Sequence, residues 1–200
     1  MRKSREEAAE TRKRIVRAAA RQFRENGIVA TGLADLMKAA GLTHGGFYKH
    51  FASKDQLVAE ATVAAMDSIL EELAAHPTVN SAVAAYLSTR HRDNPASGCP
   101  LAAIGSEFSR SDRKAREAAT AGFVRLADIL AGKAGTADAR RRALVAAVTM
   151  IGAVTMARVV TDPELSAEIL REAENSLMGA RSRTSVGARS SGGGLRRERP

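Results

Sequence analysis

Residues 31–54, TGLADLMKAAGLTHGGFYKHFASK, carry the pattern that decides the fold of this 200-residue chain. Thr31 is a candidate cap for a helix over about 32–40, which ends at a glycine that supplies a tight turn. Thr43 can then cap a short third helix over about 44–51. Two helices joined by such a turn form a helix-turn-helix, whose second helix fits the major groove of DNA. The stretch therefore predicts DNA binding.

Helical patterns flank this stretch on both sides. Upstream, Ile15, Ala19 and Phe23 recur at four-residue spacing and form the apolar stripe of a first helix over about 6–26. Downstream, Ser53 opens a long fourth helix through an S-x-x-Q capping box. The helix-turn-helix thus lies between two longer helices, which can hold it in a compact domain.

The remainder of the chain is also predicted to be helical, because alanine is abundant and no alternating β-branched run persists. Pro100 is a typical first helical residue. A helix over about 137–160 carries two adjacent apolar stripes, which indicates burial on two sides, and a last helix covers about 163–178. Beyond these helices, residues 181–200 are rich in Arg, Ser and Gly and are expected to be disordered. We therefore predict an all-α fold.

Charge is concentrated at the two ends of the chain. The formal net charge is +9. Residues 1–60 carry 12 Lys and Arg against 7 Asp and Glu, and residues 181–200 carry 6 against 1. A basic end beside a helix-turn-helix favours phosphate binding, although a basic tail can also simply keep a protein in solution.

Cysteine usage and the N-terminal sequence predict a cytoplasmic location. Cys99 is the single cysteine of the chain, so no internal disulfide can form. The opening residues MRKSREEAAETRKR lack the apolar core of a signal peptide. No stretch reaches the roughly 18 uninterrupted apolar residues of a membrane span.

The sequence offers no catalytic constellation. It contains four histidines, and none pairs with the cysteine or with carboxylates at metal-ligand spacing. No glycine-rich phosphate loop follows a strand, because no convincing strand is present. We expect no enzymatic activity, no cofactor and no metal site.

A DNA-reading helix needs an inner face that packs on its domain, an outer face slim enough, through small side chains, to approach base edges, and flanking groups that contact phosphates. An ordinary helical hairpin, with the two Phe residues as core, stays open as the alternative. The predicted anchors are the apolar residues Leu36, Ala40, Leu42, Phe47 and Phe51. The slim face consists of Thr43, His44, Gly45 and Gly46, and the side chains that can reach phosphates are those of Tyr48, Lys49, His50 and Lys54.

Two blocks, TRKRIVRAAARQFRENG over residues 11–27 and AAGLTHGGFYKHFASKDQLV over residues 39–58, resemble the N-terminal domain of the TetR family of bacterial transcriptional repressors. The glycine-aromatic-Tyr-x-x-Phe-x-x-Lys pattern is specific to that family. Gly32 and Leu33 depart from it, because relatives often carry a β-branched residue there, and the resemblance is weak beyond about residue 75. The resemblance implies that Thr43, His44, Gly45 and Lys49 contact base edges. The pattern of small residues at the start of the helix adds Gly46 to this set. The resemblance also implies phosphate contacts by Tyr48, His50 and Lys54.

The resemblance further implies a homodimer on a near-palindromic operator. The helices over about 137–160 and 163–178 would form the dimer interface, which the doubled apolar stripes suit; burial of both stripes within one subunit stays open. The expected organisation is a DNA-binding domain over 1–52, an effector-binding and dimerisation domain over 53–180, and a basic tail over 181–200.

A ligand-responsive repressor would enclose an effector pocket among its middle helices. Plain core packing is the alternative for each candidate residue, and a DNA-binding regulator without a small-molecule effector also stays open. The candidate pocket residues are Tyr86, Phe108, Phe123, Met150 and Met156, with Arg90, His91, Glu107 or Arg158 as polar partners.

Cys99 is a candidate sensor of oxidants or electrophiles. If Pro100 is the first helical residue, Cys99 is the cap, where free backbone N–H groups and the helix dipole favour a reactive thiolate. Burial as a small apolar side chain is the alternative.

Overall fold

The fold is all-α, as predicted from the sequence. The structure, a computed structural model, describes residues 2–132 and 136–187. Within these ranges the chain forms nine α-helices and one 3-10 helix, and no strand. In chain order these are α1 (Arg2–Asn26), α2 (Leu33–Ala39), the 3-10 helix (His44–Lys49), α3 (Lys54–Ala74), α4 (Val79–Tyr86), α5 (Thr89–Asp93), α6 (Pro100–Phe108), α7 (Arg113–Ala131), α8 (Ala137–Val159) and α9 (Pro163–Gly187).

The starts of the early helices agree only partly with the predicted caps. The Ser53 hydroxyl accepts from the Gln56 backbone N–H at 3.1 Å, which confirms the start of α3. Thr31 is not a cap, because its hydroxyl donates to the Gly27 carbonyl at 2.5 Å and leaves Gly32 as the residue before α2. Thr43 does precede the 3-10 helix, but its side chain makes no capping bond.

The third helix differs in type from the expectation of an α-helix over 44–51. It is a 3-10 helix that ends at Lys49, and the Gly46 N–H donates to the Thr43 carbonyl at 3.1 Å. Gly45 and Gly46 disfavour an α-helix here, because glycine has a low helix propensity. A segment this short can form a 3-10 helix instead, since such helices typically occur as short pieces.

The buried apolar residues form two clusters that meet within α3. We call α1, α2 and the 3-10 helix the head, and α4 to α9 the body. Residues Leu57 to Ala65 of α3 belong to the head cluster, and residues Met66 to Leu73 belong to the body cluster. The core therefore does not divide at residue 52, since the first half of α3 completes the head. The head cluster also takes in Ile104 and Phe108 of α6, and Ala115 and Ala119 of α7.

α8 lies between α7 and α9 and packs against both. By length and composition alone α8 could cross a bilayer, but this is weak evidence because its inner face is part of the body core. α9 continues to Gly187, beyond the predicted end near 178, so residues 181–187 are helical where a disordered tail was expected. The rest of the predicted tail, residues 188–200, lies outside the described residues.

Candidate nucleic-acid interface and its junction with the body

The 3-10 helix has one buried face and one exposed face. Phe47 is fully buried, and its ring stacks on that of Phe51 with centroids 5.6 Å apart. The next residue, Tyr48, is 68% exposed. The two Phe residues thus anchor the helix to the head, as predicted, while the polar side points to solvent.

The exposed face carries most of the predicted base-reading residues. Thr43, His44, Gly45 and Lys49 are exposed, whereas Gly46 is half-buried. A Cβ at Gly46 would lie 3.4 Å from the Met37 side chain, so Gly46 faces α2. A Cβ at Gly45 would meet nothing within 4 Å. Packing within the chain therefore leaves open space over Gly45, through which a partner could approach the backbone.

The predicted phosphate-binding residues are partly occupied within the chain. The Lys54 ammonium donates to the Ile28 carbonyl at 2.6 Å, and the His50 carbonyl accepts from Arg12 at 3.4 Å. An ammonium has three donors, so Lys54 retains two for a phosphate. Tyr48, near the end of the 3-10 helix, is exposed, and His50, just after it, is half-buried.

Arg12 is a structural residue of the head that the sequence analysis did not identify. Its guanidinium donates to Glu60 of α3 at 2.6 Å and lies 4.6 Å from the centroid of the Phe51 ring. It thereby joins α1, the segment that follows the 3-10 helix, and α3. No local pattern reveals this contact, because the partners are 39 and 48 positions away in the sequence.

Glu107 of α6 fixes the turn between α1 and α2. One carboxylate oxygen accepts the N–H groups of Ile28 at 2.9 Å and Val29 at 3.0 Å. Gly27 in this turn has a φ of +87°, and a Cβ there would lie 2.8 Å from the other carboxylate oxygen. A glycine is thus required both for the left-handed backbone and for the approach of Glu107. Glu107 was considered a pocket residue, and the structure places it at this junction instead.

Arg24 makes a second junction between head and body. From α1 its guanidinium donates to the Gly98 carbonyl at 2.7 Å and to its own helix at the Ala20 carbonyl at 2.8 Å. Burial lowers the pKa of Arg24 to about 10, and it stays charged at neutral pH.

Cys99 precedes Pro100 at the start of α6, in the cap position that the sequence predicts, and its surroundings are apolar. Its side chain is completely buried, and burial raises the pKa of the thiol. The predicted lowering of that pKa is wrong, because desolvation of a thiolate outweighs the favourable end of a nine-residue helix. The Cys99 N–H donates to His91 Nε2 at 2.9 Å, and His91 Nδ1 lies 2.6 Å from the Tyr86 carbonyl. This pairing requires a neutral His91 with its proton on Nδ1.

The five candidate pocket residues do not line one cavity. Tyr86 lines a cavity of about 300 Å³, and Phe108 and Phe123 line a separate groove of about 370 Å³. Met150 is buried in the body core, and Met156 lies on the exposed side of α8. Helical spacing cannot distinguish these surroundings, because an apolar residue at that spacing suits a core, a pocket or an interface. Among the described residues, no three His, Cys, Asp or Glu side chains come together as a metal site.

α8 presents a row of exposed apolar residues, which we call the α8 stripe. Successive members are three or eight positions apart, so they lie on one side of the helix, and Val148 is 62% exposed. The nearby Leu165 of α9 is also exposed. Leu144, Ile151 and Thr155, which the sequence pattern places in one stripe with Val148 and Val159, are instead half-buried against the body. The α8 stripe consists of Val145, Val148, Met156 and Val159.

Comparison with known proteins matches the head most strongly. The family model described as "Bacterial regulatory proteins, tetR family" matches residues 15–61. The regulator TtgR of Pseudomonas putida is 47% identical over 58 residues, which span 29% of this chain and only 28% of that protein. The Escherichia coli K12 protein named "Probable acrEF/envCD operon repressor" is 41% identical over 54 residues, 27% of this chain and 24% of that protein.

The similarity in three dimensions extends over the body. A TetR transcriptional regulator from Chloroflexus aurantiacus superposes with a TM-score of 0.68 and is 30% identical. The match covers 88% of this chain and 94% of that protein. Head and body therefore occur together, in this order, in a solved bacterial regulator.

Proposed function

Because this chain belongs to the TetR family of bacterial DNA-binding regulators, we propose that it is a homodimeric transcriptional repressor with a near-palindromic operator and a small-molecule effector. The observation that carries the proposal is the 3-10 helix: its Phe47 is buried against Phe51, which follows the helix, while its polar side is open to solvent. A cytoplasmic location accompanies this function.

In the proposed complex the exposed side of the 3-10 helix enters the major groove. Gly45 allows the backbone to come close, and Gly46 supports it by packing on α2. Base edges are read by Thr43, His44, Gly45, Gly46 and Lys49, and phosphates are held by Tyr48, His50 and Lys54. Phosphate contacts fix the register, and base contacts give the sequence preference.

The α8 stripe supports the proposed dimer. A row of exposed Val and Met side chains is costly in water, and pairing with the same surface of a second copy would bury it. Helices α8 and α9 of both copies would then form a four-helix interface. The functional division that we propose is DNA binding over 1–52, and effector binding and dimerisation over 53–180.

We propose a two-state mechanism. In one state the two heads are spaced for successive major grooves, about 34–36 Å apart. The effector shifts α6 and tilts α3, and DNA dissociates because both heads can no longer bind at once. Glu107 and Arg24 support this route, since both connect the region around α6 with the α1 end of the head.

A regulator without a small-molecule effector remains the second candidate. The cavity beside Tyr86 favours the ligand-responsive form. Ligands that raise the melting temperature and release DNA would support that form, and DNA binding that no ligand changes would support the alternative.

The test is sequence preference in two variants. DNA selected from a random pool would be used to compare the native chain with His44→Ala and Lys49→Ala. Each substitution should relax the preference at one position of each half-site, at a cost of about 1–3 kcal/mol for the best sequence. An unchanged preference in both variants would contradict the proposed reading face.

A further inference from the structure

A groove follows the outer side of α3, with α1 forming one wall and α7 the other. Its volume of about 560 Å³ lies within the range of small-molecule sites. Ala59, Val63 and Asp67 follow one another along its floor at four-residue spacing, and they span about 12 Å of helix. We call it the α3 groove.

The floor of the α3 groove is apolar and partly open to solvent. Val63 is 46% exposed, although it lies in the middle of α3. Val16 of α1 and Ala118 of α7 are half-buried and line the two walls. Alanine side chains are too short to fill the space between three helices, which is why a groove remains. An apolar body laid on this floor would remove exposed apolar surface from water.

Both carboxylates that line the groove are already paired within the chain. Glu60 accepts from Arg12 of α1 at 2.6 Å, and Asp67 is bonded to Arg125 of α7. Their negative charges are thereby matched, so neither offers an unpaired carboxylate to a cationic ligand.

Three cations on the rim have weak partners or none. Lys13 and Arg17 of α1 both lie near the carboxylate of Glu10, at 4.0 Å and 3.7 Å. A single carboxylate can match only one of these two charges, and ion pairs this exposed contribute little. Lys114 of α7, on the other wall, makes no ion pair within residues 2–132 and 136–187. The rim therefore has a surplus of positive charge on both walls.

We infer that the α3 groove binds a small amphiphilic anion, whose apolar body lies on the Val63 floor and whose carboxylate is held by the cations of the rim. The charge of the rim selects an anion, and the apolar floor selects a molecule with an extended apolar part. This site goes beyond the proposed function, because it shares no residue with the segment 43–54, the α8 stripe or the Tyr86 cavity. A ligand there contacts α1, α3 and α7 together, so its binding favours the present arrangement of head and body.

Calorimetric titration of the full chain with decanoate, below the concentration at which decanoate forms micelles, tests this site. Decanoate should bind once per chain, and more weakly as salt is added, because salt screens the rim charges. Acetate keeps the carboxylate without the apolar body, and decyltrimethylammonium keeps the apolar body with the opposite charge. Each should bind about tenfold more weakly than decanoate, or weaker still.

Substitutions at exposed positions locate the ligand. Val63→Glu should weaken decanoate binding by about tenfold or more, because it removes apolar contact and repels the anion. Val124→Glu, the same change on α7 outside the groove, is the matched control and should bind like the native chain. Lys114→Gln should weaken binding about twofold to fivefold, and Lys114→Arg should restore most of it. The Lys114 variants decide the question if Val63→Glu does not fold.

The site is wrong if decanoate does not bind, if Val63→Glu and Lys114→Gln both bind it like the native chain, or if decyltrimethylammonium binds as tightly. Sedimentation velocity of Val63→Glu tests a second copy of the chain as the occupant, since loss of a native dimer in this variant would overturn the ligand assignment. A helical peptide with Leu on one face and Glu beside it would also overturn the assignment, if it bound the native chain more tightly than decanoate and Val63→Glu weakened it. These measurements contain no DNA, so their results do not depend on the proposed function.

Discussion

The head keeps its candidate functional side chains within one segment of the chain, residues 43–54, whereas the body assembles its sites from distant helices. The Tyr86 cavity combines α3, α4, α5 and the loop before α6. The 47% identity to TtgR also covers only 58 residues. A local motif can be read from the order of its residues, but a cavity depends on how whole helices pack.

The largest expected effect tests how strongly the head depends on its anchor. Phe47→Ala should destabilise the protein by about 3–5 kcal/mol, because it leaves a cavity under the 3-10 helix. Chemical denaturation would measure the loss. Tyr48→Phe, at the exposed neighbour, should change the free energy of unfolding by less than about 0.5 kcal/mol. Equal losses in the two variants would contradict the two-sided arrangement of the helix.

The body has a corresponding test at the α8 stripe. Val148→Glu should convert the dimer to a monomer, since paired like charges in an interface cost several kcal/mol, about 3 or more. Sedimentation velocity would report the mass, and operator affinity should fall with it. Val124→Glu, which places the same charge on partly exposed α7, serves as the control and should remain dimeric. A dimeric Val148→Glu protein would place the interface elsewhere.

The junction between head and body gives a smaller effect. Glu107→Ala removes the acceptor of two backbone N–H groups and should cost about 1–3 kcal/mol. Hydrogen exchange at the Ile28 and Val29 amides should accelerate. Glu107→Gln keeps an uncharged acceptor, so its stability and its exchange rate should lie between those of the native protein and Glu107→Ala. Unchanged hydrogen exchange at these amides in Glu107→Ala would show that Glu107 does not couple the body to the head in the proposed mechanism.

The sequence predicted the head better than the body for a physical reason. The turn glycine Gly41 and the buried Phe47 and Phe51 are set by neighbours in the chain, and these predictions were confirmed, whereas of the three predicted caps only Ser53 makes its capping bond. The wrong cap at Thr31 shows the limit of prediction from local pattern, because its hydroxyl donates to the Gly27 carbonyl instead of accepting from the start of α2.

Long-range contacts account for what the sequence analysis missed. Glu107 bonds to residues 78 and 79 positions earlier, and Arg24 bonds 74 positions later. Met156 and Met150 have the same residue type and lie on the same helix, yet one is exposed and the other buried. Only the packing of α8 on its neighbours separates their roles.

Cys99 allows a test of reactivity in the body. Because burial raises the pKa of its thiol, the protonated form dominates at neutral pH and alkylation should be slower than in the unfolded chain. The labelling rate should rise with pH beyond the range where an ordinary thiol levels off. Operator binding by Cys99→Ser and the native chain, with and without an electrophile, then tests the sensor hypothesis. Equal release of both proteins would end it, and release of the native chain alone would establish it.

The smallest effect concerns one phosphate contact of the head. Lys54→Ala should weaken binding to all DNA sequences alike and reduce the salt slope by about 1. Lys114→Ala, on α7 of the body, should leave the slope unchanged. An unchanged slope in Lys54→Ala would mean that its bond to the Ile28 carbonyl is its whole role.

Selection of binding sites from random DNA by the native protein tests the central claim most directly. Two heads held by a symmetric dimer predict an enriched near-palindrome whose half-site centres are about 10–10.5 base pairs, or a multiple, apart. Enrichment of a single asymmetric half-site, or of no sequence at all, would contradict a paired DNA-reading head.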